Sequence, residues 1–245
     1  MATERGDKVL TPYGLELTQD CKTCPLRKDG YFCQLSPATL KVFDNSFISA
    51  YPTGAVLFVE GQVSRGAYML CQGRVKLTMT ALDGKTVIVR IAESGEILGL
   101  NAAVSGEPYE VTAETLQPCQ MHFLNREKLS KLLREHHEAS ASTIRQLSIN
   151  YRGACQEIRF LGLARSATEK LARFLLEWSA KGQPTKQGIR FRVDLTHEEI
   201  AQIVGLSRET VTRTLSEFKD RMLISMKGST LFIRNKAALE KLSAS

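Results

Sequence analysis

The stretch Thr196–Met222, THEEIAQIVGLSRETVTRTLSEFKDRM, decides how the whole chain is read. Thr196 followed by Glu199 has the form of a capping box, so a helix is expected to begin at His197. Ile200, Ile203 and Val204 would point inward. Gly205 would end the helix where the chain must turn sharply. Ser207 then caps a second helix, whose Val211, Leu215 and Phe218 repeat at four and three and form its buried face. Two short helices joined by a glycine turn make a helix-turn-helix, whose second helix enters the major groove of DNA.

The face opposite Val211, Leu215 and Phe218 carries Arg208, Glu209, Thr212 and Arg213 in the first turn and a half. Arginine can take guanine O6 and N7 together, glutamate can accept from cytosine N4, and threonine can touch a thymine methyl. An acid here would repel phosphate, so Glu209 points to base readout. Ser207, Thr210 and Arg221 are read as phosphate contacts, which position without specifying. Downstream, LISMKGSTLFIRN reads as two short strands around Lys227-Gly228, a hairpin wing. Upstream, SATEKLARFLLEWSAKG is an amphipathic helix ending at Gly182, and QGIRFRVDLT contains a strand.

Charge supports the same assignment. Between Arg165 and Lys241 there are 15 Lys/Arg and 9 Asp/Glu, against 18 and 17 in the rest of the chain. Nearly all of the excess positive charge therefore sits in the last third, as expected for a polyanion-binding module.

Before it, NREKLSKLLREHHEASASTIRQLSINYRGACQEIRFLGL is helical in pattern from Asn125, with a break near His136-His137. Within it Ile144, Leu147, Tyr151, Ala154, Ile158 and Leu161 step 3-4-3-4-3. So narrow a seam, flanked by Arg145, Arg152, Gln156 and Arg159, suits a contact between two parallel helices, hence a homodimer. Packing of this helix on its own domain is the alternative.

From Ser46 to Phe123 the texture is that of short strands. AVLFVEG, AYMLCQG, RVKLTMTA, TVIVRIAE and EILGLNAAV are punctuated by glycines, the pattern of an antiparallel sandwich or barrel. Asp83-Gly84 in ALDGKT is a two-residue hairpin signal. LSPATLKVFDN reads as a short helix with Ser36 as N-cap and Pro37 in first position.

The N-terminal part holds CKTCPLRKDGYFC, with Cys21, Cys24 and Cys33 inside thirteen residues. No apolar h-region precedes it and no run of 18 apolar residues occurs anywhere. A cytoplasmic location without a membrane span is the expectation. Thiols are kept reduced there, so six cysteines read as ligands, reactive thiols or core residues. Cys71 reads as core, Cys155 as packing beside the seam, and His136 and His137 as solvated. His122 has no histidine or acid partner at metal spacing.

Together, SRETVTR within the helix-turn-helix, the glycine-rich strands and the long helix resemble the family of the cyclic-AMP receptor protein and the fumarate-and-nitrate-reduction regulator. The resemblance runs over about residues 36–245. It implies an α+β chain with an N-terminal antiparallel β-roll of the cupin-like, cyclic-nucleotide-binding type as sensor. A long dimerisation helix and a C-terminal winged helix-turn-helix would follow. The corresponding segments are residues 1–35 (cysteine arm), 36–124 (β-roll), 125–163 (helical connector) and 164–245 (DNA-binding domain). The family implies a non-enzymatic regulator that binds a two-fold symmetric site in double-stranded DNA and touches RNA polymerase. Arg208, Glu209 and Arg213 would read the TGA core of each half-site.

Cyclic-nucleotide binders of the family use a Gly-Glu-Leu segment and an Arg-Ser pair. Here Leu100 follows Gly99 and Glu110-Val111 stand near the expected pair, which argues against an anionic phosphate in the roll. In the oxygen-sensing branch, three N-terminal cysteines and one from the roll hold a 4Fe–4S cluster. By this resemblance Cys21, Cys24, Cys33 and Cys119 would be the ligands, with Arg27 and Lys28 offsetting thiolate charge. The gap between Cys24 and Cys33 is longer than in the fumarate-type regulator. Zinc on the same sulfurs, a metal-free thiol switch, an unknown small-molecule effector and no cofactor at all stay open. A β-roll metalloenzyme is the remote alternative, for which no histidine–carboxylate ligand set is present.

Overall fold

The computed structural model describes residues 11–17, 24, 33–44, 48–163 and 166–243, with backbone only at 41–44, 160, 161 and 163. Cys21, Arg27, Lys28 and Arg165 lie outside the described residues, as does the side chain of Leu161. The chain divides into two compact units. One comprises Met1–Lys85 with Val89–Gly153, and the other Thr86–Ile88 with Ala154–Ser245.

Helix α1 (Pro37–Asp44) precedes eight strands, which belong to the first unit save for the first three residues of β5: β1 (Ile48–Tyr51), β2 (Val56–Phe58), β3 (Gly66–Gln72), β4 (Arg74–Thr80), β5 (Thr86–Glu93), β6 (Ile97–Leu98), β7 (Thr112–Thr115) and β8 (Cys119–Asn125). They form two four-stranded sheets, ordered β1-β8-β3-β6 and β2-β7-β4-β5. Phe58, Leu70, Val75, Leu77, Leu98 and Met121 fill an inner cluster that also takes in Cys119. A second, outer cluster joins Ala67, Met69 and Leu124 to Leu35, Leu40, Leu129, Leu132 and Ala139. Strand β8 is thus covered on both faces, and its burial does not alternate.

Two local expectations are corrected. EILGLNAAV is not one strand: β6 stops at Leu98, and helix α2 (Leu100–Ser105) follows. Gly99, at φ 68 and ψ 19, breaks the strand, and the apolar Leu100, Ala102 and Ala103 bury one face of the helix. The connection at Asp83-Gly84 is also longer than a two-residue hairpin. Gly84 N–H donates to Ala81 O at 2.9 Å, and Gly84 alone in this turn takes positive φ. Leu82 and Asp83 are therefore the centre of a turn completed by a left-handed glycine.

Asn125 caps α3 (Arg126–Glu135) by accepting from Lys128 N–H. The chain breaks at His136, and α4 (His137–Leu163) follows, running across the division at Gly153. His136 is not solvated as expected: it is half-buried, and its Nδ1 lies 3.2 Å from Thr39 Oγ1. Cys155 does not pack within the chain but is exposed, and Cys71 is half-buried on the outer cluster.

In the second unit α5 (Ala167–Trp178) ends in a single turn of 3₁₀ helix. Then come β9 (Gln183–Thr185), β10 (Gly188–Arg192), α6 (His197–Val204), α7 (Arg208–Asp220), β11 (Ile224–Lys227), β12 (Thr230–Ile233) and α8 (Lys236–Leu242). The sheet order is β11-β12-β10-β9. Leu171, Phe174, Leu175, Val204, Val211, Leu215 and Phe218 form the core with Leu231 and Ile233. Asn235, whose side chain accepts from Ala238 N–H, is the sequence signal for α8.

Candidate nucleic-acid interface and cysteine site

The helix-turn-helix is built as its sequence dictates. Thr196 and Glu199 form the capping box at the start of α6, with Thr196 N–H donating to Glu199 Oε2 at 2.8 Å. Gly205, at φ 64 and ψ 43, lets the chain turn, and Leu206 N–H donates to Ala201 O at 3.0 Å. A side chain on Gly205 would strain this left-handed position. Val211, Leu215 and Phe218 are buried, which fixes the rotation of α7 about its axis.

That rotation leaves Arg208, Glu209, Thr212 and Arg213 exposed on the opposite face. Thr212 is anchored: its hydroxyl donates to Arg208 O at 2.9 Å and lies 2.8 Å from His197 Nδ1. Its methyl is the part left to meet a base. Ser207 accepts from Thr210 N–H at 3.2 Å and lies 3.0 Å from Thr210 Oγ1, so both hydroxyls serve the cap. The Glu209 carboxyl is held below the usual range, first by its own backbone N–H and then by the Ser207 hydroxyl. It is an anion at the positive end of α7.

The wing sheet adds a feature not singled out from sequence. Ile189, Phe191, Leu231 and Ile233 face the core. The alternation then puts Arg190, Arg192, Lys227 and Phe232 on the outer face, where Arg190 pairs with Phe232 and Arg192 with Thr230. Arg234 stacks on Phe232 with its guanidinium carbon 5.6 Å from the ring centroid. Lys186, Arg190 and Lys227 line a shallow groove of about 450 Å³ floored by Phe232. Arg192 is paired with Asp194 at 2.8 Å. The signal available in the sequence was the period of two in IRFR, residues 189–192.

Along α4, Ile144, Tyr151 and Ile158 leave 66%, 73% and 72% of their surface exposed. Leu147 is half-buried and Ala154 exposed. Of the six seam residues, Ile144, Tyr151 and Ile158 thus carry large exposed apolar areas, whereas Leu147 packs against the outer cluster of its own chain.

Cys119 opens β8, opposite Tyr51 of β1, and is fully buried. Its thiol lies 3.1 Å from Gln117 O and 3.4 Å from Arg74 O. Burial pushes it up to about 11. The sulfur occupies a space available only because residue 73 is glycine, since a Cβ there would come within 2.4 Å of Sγ. Cys33 is buried in the outer cluster and Cys24 is half-buried. Among the described residues, no group of three or more His, Cys, Asp or Glu is placed to hold a metal.

At the roll's ligand positions, Leu100 is buried and Glu110 accepts from Asn101 Nδ2. Tyr109 stacks on Phe58 at 4.0 Å between centroids and donates its hydroxyl to Gly66 O at 2.7 Å. No helix among the described residues is long and apolar enough to cross a membrane.

Comparison with known proteins gives the same two parts. Residues 48–136 match the cyclic nucleotide-binding domain, and residues 169–242 match the Crp-like helix-turn-helix domain. The CRP-like cAMP-activated global transcriptional regulator of Mycobacterium tuberculosis is 27% identical over 219 residues, covering 88% of this chain and 97% of that one. The global nitrogen regulator of Synechocystis is 27% identical over 213 residues, covering 85% and 90%. Among solved structures, a CRP-family transcriptional regulator of Thermus thermophilus aligns with TM-score 0.67 at 25% identity, covering 80% of this chain and 97% of that one. FixK2 of Bradyrhizobium japonicum shares the fold with TM-score 0.71 at 22% identity, covering 82% and 98%. With both of its characteristic parts matched in order, the chain belongs to the CRP/FNR family of DNA-binding transcriptional regulators.

Proposed function

We propose that this regulator acts as a homodimer on a two-fold symmetric site, reading each half through Arg208, Glu209, Thr212 and Arg213. Its signal enters through cysteines: Cys21, Cys24, Cys33 and Cys119 would hold a 4Fe–4S cluster that senses oxygen or a related oxidant such as nitric oxide. At a promoter the dimer would also contact RNA polymerase, as in the family it resembles. The stripe Ile144–Tyr151–Ile158, exposed in one chain, supports dimerisation along α4.

The observation that carries the sensing reading is the roll itself. The position of a ribose-binding glutamate is the buried Leu100, and the carboxylate of Glu110 stands where a phosphate would need a cation. Tyr109 fills its own space against Phe58 and Gly66. These features weigh against an anionic nucleotide in the roll and favour the cysteines as the sensing chemistry.

As a donor set, four thiols suit a 4Fe–4S cluster. The described positions of Cys24, Cys33 and Cys119 do not converge. Joint ligation therefore calls for a different arrangement of the cysteine arm. When bound, a cluster would supply oxidant-sensitive redox chemistry and keep Cys119 a thiolate against its burial. Gly73 and the carbonyls of Arg74 and Gln117 hold the sulfur in place.

The test is to purify wild type and Cys119→Ala without oxygen and measure iron, acid-labile sulfide and visible absorbance. Iron and sulfide in the wild type, lost from Cys119→Ala, are expected. A colourless, iron-free wild type that still binds symmetric DNA would refute the cluster and leave the regulator standing.

A further inference from the structure

Helix α1 and the turn before it are tied to the junction of α3 and α4 by a polar cluster from residues about a hundred positions apart. Glu138, in the first turn of α4, accepts from Ser36 N–H at 3.1 Å and from the Ser36 hydroxyl at 2.5 Å. The Thr39 hydroxyl also donates to Glu138. With that proton committed, the remaining Thr39 lone pairs face His136 Nδ1 at 3.2 Å, on the residue that separates α3 from α4. The two hydroxyls hold the Glu138 carboxyl below its usual range. Apolar packing runs alongside, because Cys33, Leu35 and Leu40 share the outer cluster with Leu129, Leu132 and Ala139. Glu138 is also the acid of the first turn of α4, so one carboxylate serves the helix start and the link to α1.

We propose that Ser36, Thr39 and Glu138 form a clasp by which the cysteine-bearing segment fixes the start of α4 and so sets the strength of dimerisation. Cys33 lies three residues before Ser36, and the exposed stripe begins at Ile144, six residues after Glu138. Displacing the segment around Cys33 breaks the clasp, frees the first turn of α4 and weakens pairing along the helix. The inference rests on the reading above, in which α4 pairs two copies and the cysteines carry the signal.

The test is a double-mutant cycle with Thr39→Val and Glu138→Ala in the full chain. It reads the dimer dissociation constant by sedimentation equilibrium, under reducing, oxygen-free conditions. Thr39→Val keeps the volume of a buried side chain and leaves the Ser36 cap intact. Each substitution should weaken the dimer about tenfold, and the double variant no more than the worse single one. Glu138→Gln, which keeps one oxygen for the hydroxyls, should fall between wild type and Glu138→Ala. Single effects under about twofold, or effects that multiply in the double variant, would overturn the clasp.

A second arm exposes wild type and Glu138→Ala to air. The wild-type dimer should weaken on exposure, whereas Glu138→Ala should already be weak and change little. A Glu138→Ala protein that retains the full response refutes the clasp. If wild type shows no response, the cysteine-sensing reading fails, and the cycle still decides the clasp.

Discussion

If two copies pair along α4 as proposed, replacing Ile158 by alanine should weaken the dimer sharply. Ile158 leaves 72% of its surface exposed in the single chain, so most of the side chain is available for burial against a partner. The substitution removes three carbons, each worth about 0.8 kcal/mol when newly buried. Scaled by the exposed share, this is about 1.7 kcal/mol per copy, and a symmetric dimer counts it twice. A loss of about 3.5 kcal/mol raises the dimer dissociation constant a few hundredfold. Alanine's better helix propensity acts on monomer and dimer alike and does not change this difference. Sedimentation equilibrium on the full chain reads the constant directly. Ile149 is the internal control: 43% exposed on the same helix, it lies off the 3-4 spacing. Ile149→Ala should shift the constant by no more than about twofold, since nothing is buried there. An unchanged dimer in Ile158→Ala, or an equal loss in Ile149→Ala, would refute dimerisation through this seam.

Other outcomes test the remaining parts. Glu209→Ala should relax preference at one base position of each half-site while leaving the salt dependence of binding unchanged; uniform weakening on all sequences would instead assign Glu209 to folding of the helix start. Arg190→Ala and Lys227→Ala should each lower the slope of log affinity against log salt by about one for every phosphate left without its cation, provided the wing face meets the DNA backbone. An unaltered slope would place that face off the DNA. Burial raises the Cys119 thiol from 9.0 to about 11. A raised thiol favours the folded state below pH 9.0, and that contribution is lost as pH climbs toward about 11. The melting temperature of metal-free wild type should therefore fall over this window more than that of Cys119→Ala, and parallel curves would show the thiol not to be buried in solution.

The DNA-binding unit was legible because its rules are local. Thr196, Glu199, Gly205 and Ser207 act within four residues of themselves, and the spacing of Val211, Leu215 and Phe218 fixes the exposed face without further information. The β-roll was legible as a class because its glycines mark the turns. Its details were not. Leu100, Ala102 and Ala103 are apolar in a strand or a helix alike, and only the left-handed backbone at Gly99 chooses. Strand β8 loses its alternation because helices cover its second face, a tertiary fact. The link from Ser36 and Thr39 to Glu138 joins residues 99 to 102 positions apart, which no periodicity encodes. The place of Cys119 depends on the missing side chain of Gly73 across the sheet.

The two buried cysteines lead to the same place in the fold by different routes. Cys119 begins β8, which is hydrogen-bonded to β1 on one side and β3 on the other. Its sulfur fills the space beside Gly73, where a single added carbon would overlap it. Strand β8 passes through Asn125 directly into α3, whose C-cap is His136. Cys33 reaches His136 from the other side, through Ser36, Thr39 and Glu138. On the proposed reading, a signal taken at either cysteine would arrive at the first turn of α4, upstream of the exposed Ile144, Tyr151 and Ile158. Packed cores respond by switching between discrete arrangements and not by small continuous shifts. The α3–α4 junction is where the proposed reading puts such a switch, because it joins two helices through one non-helical residue and is held by side-chain contacts.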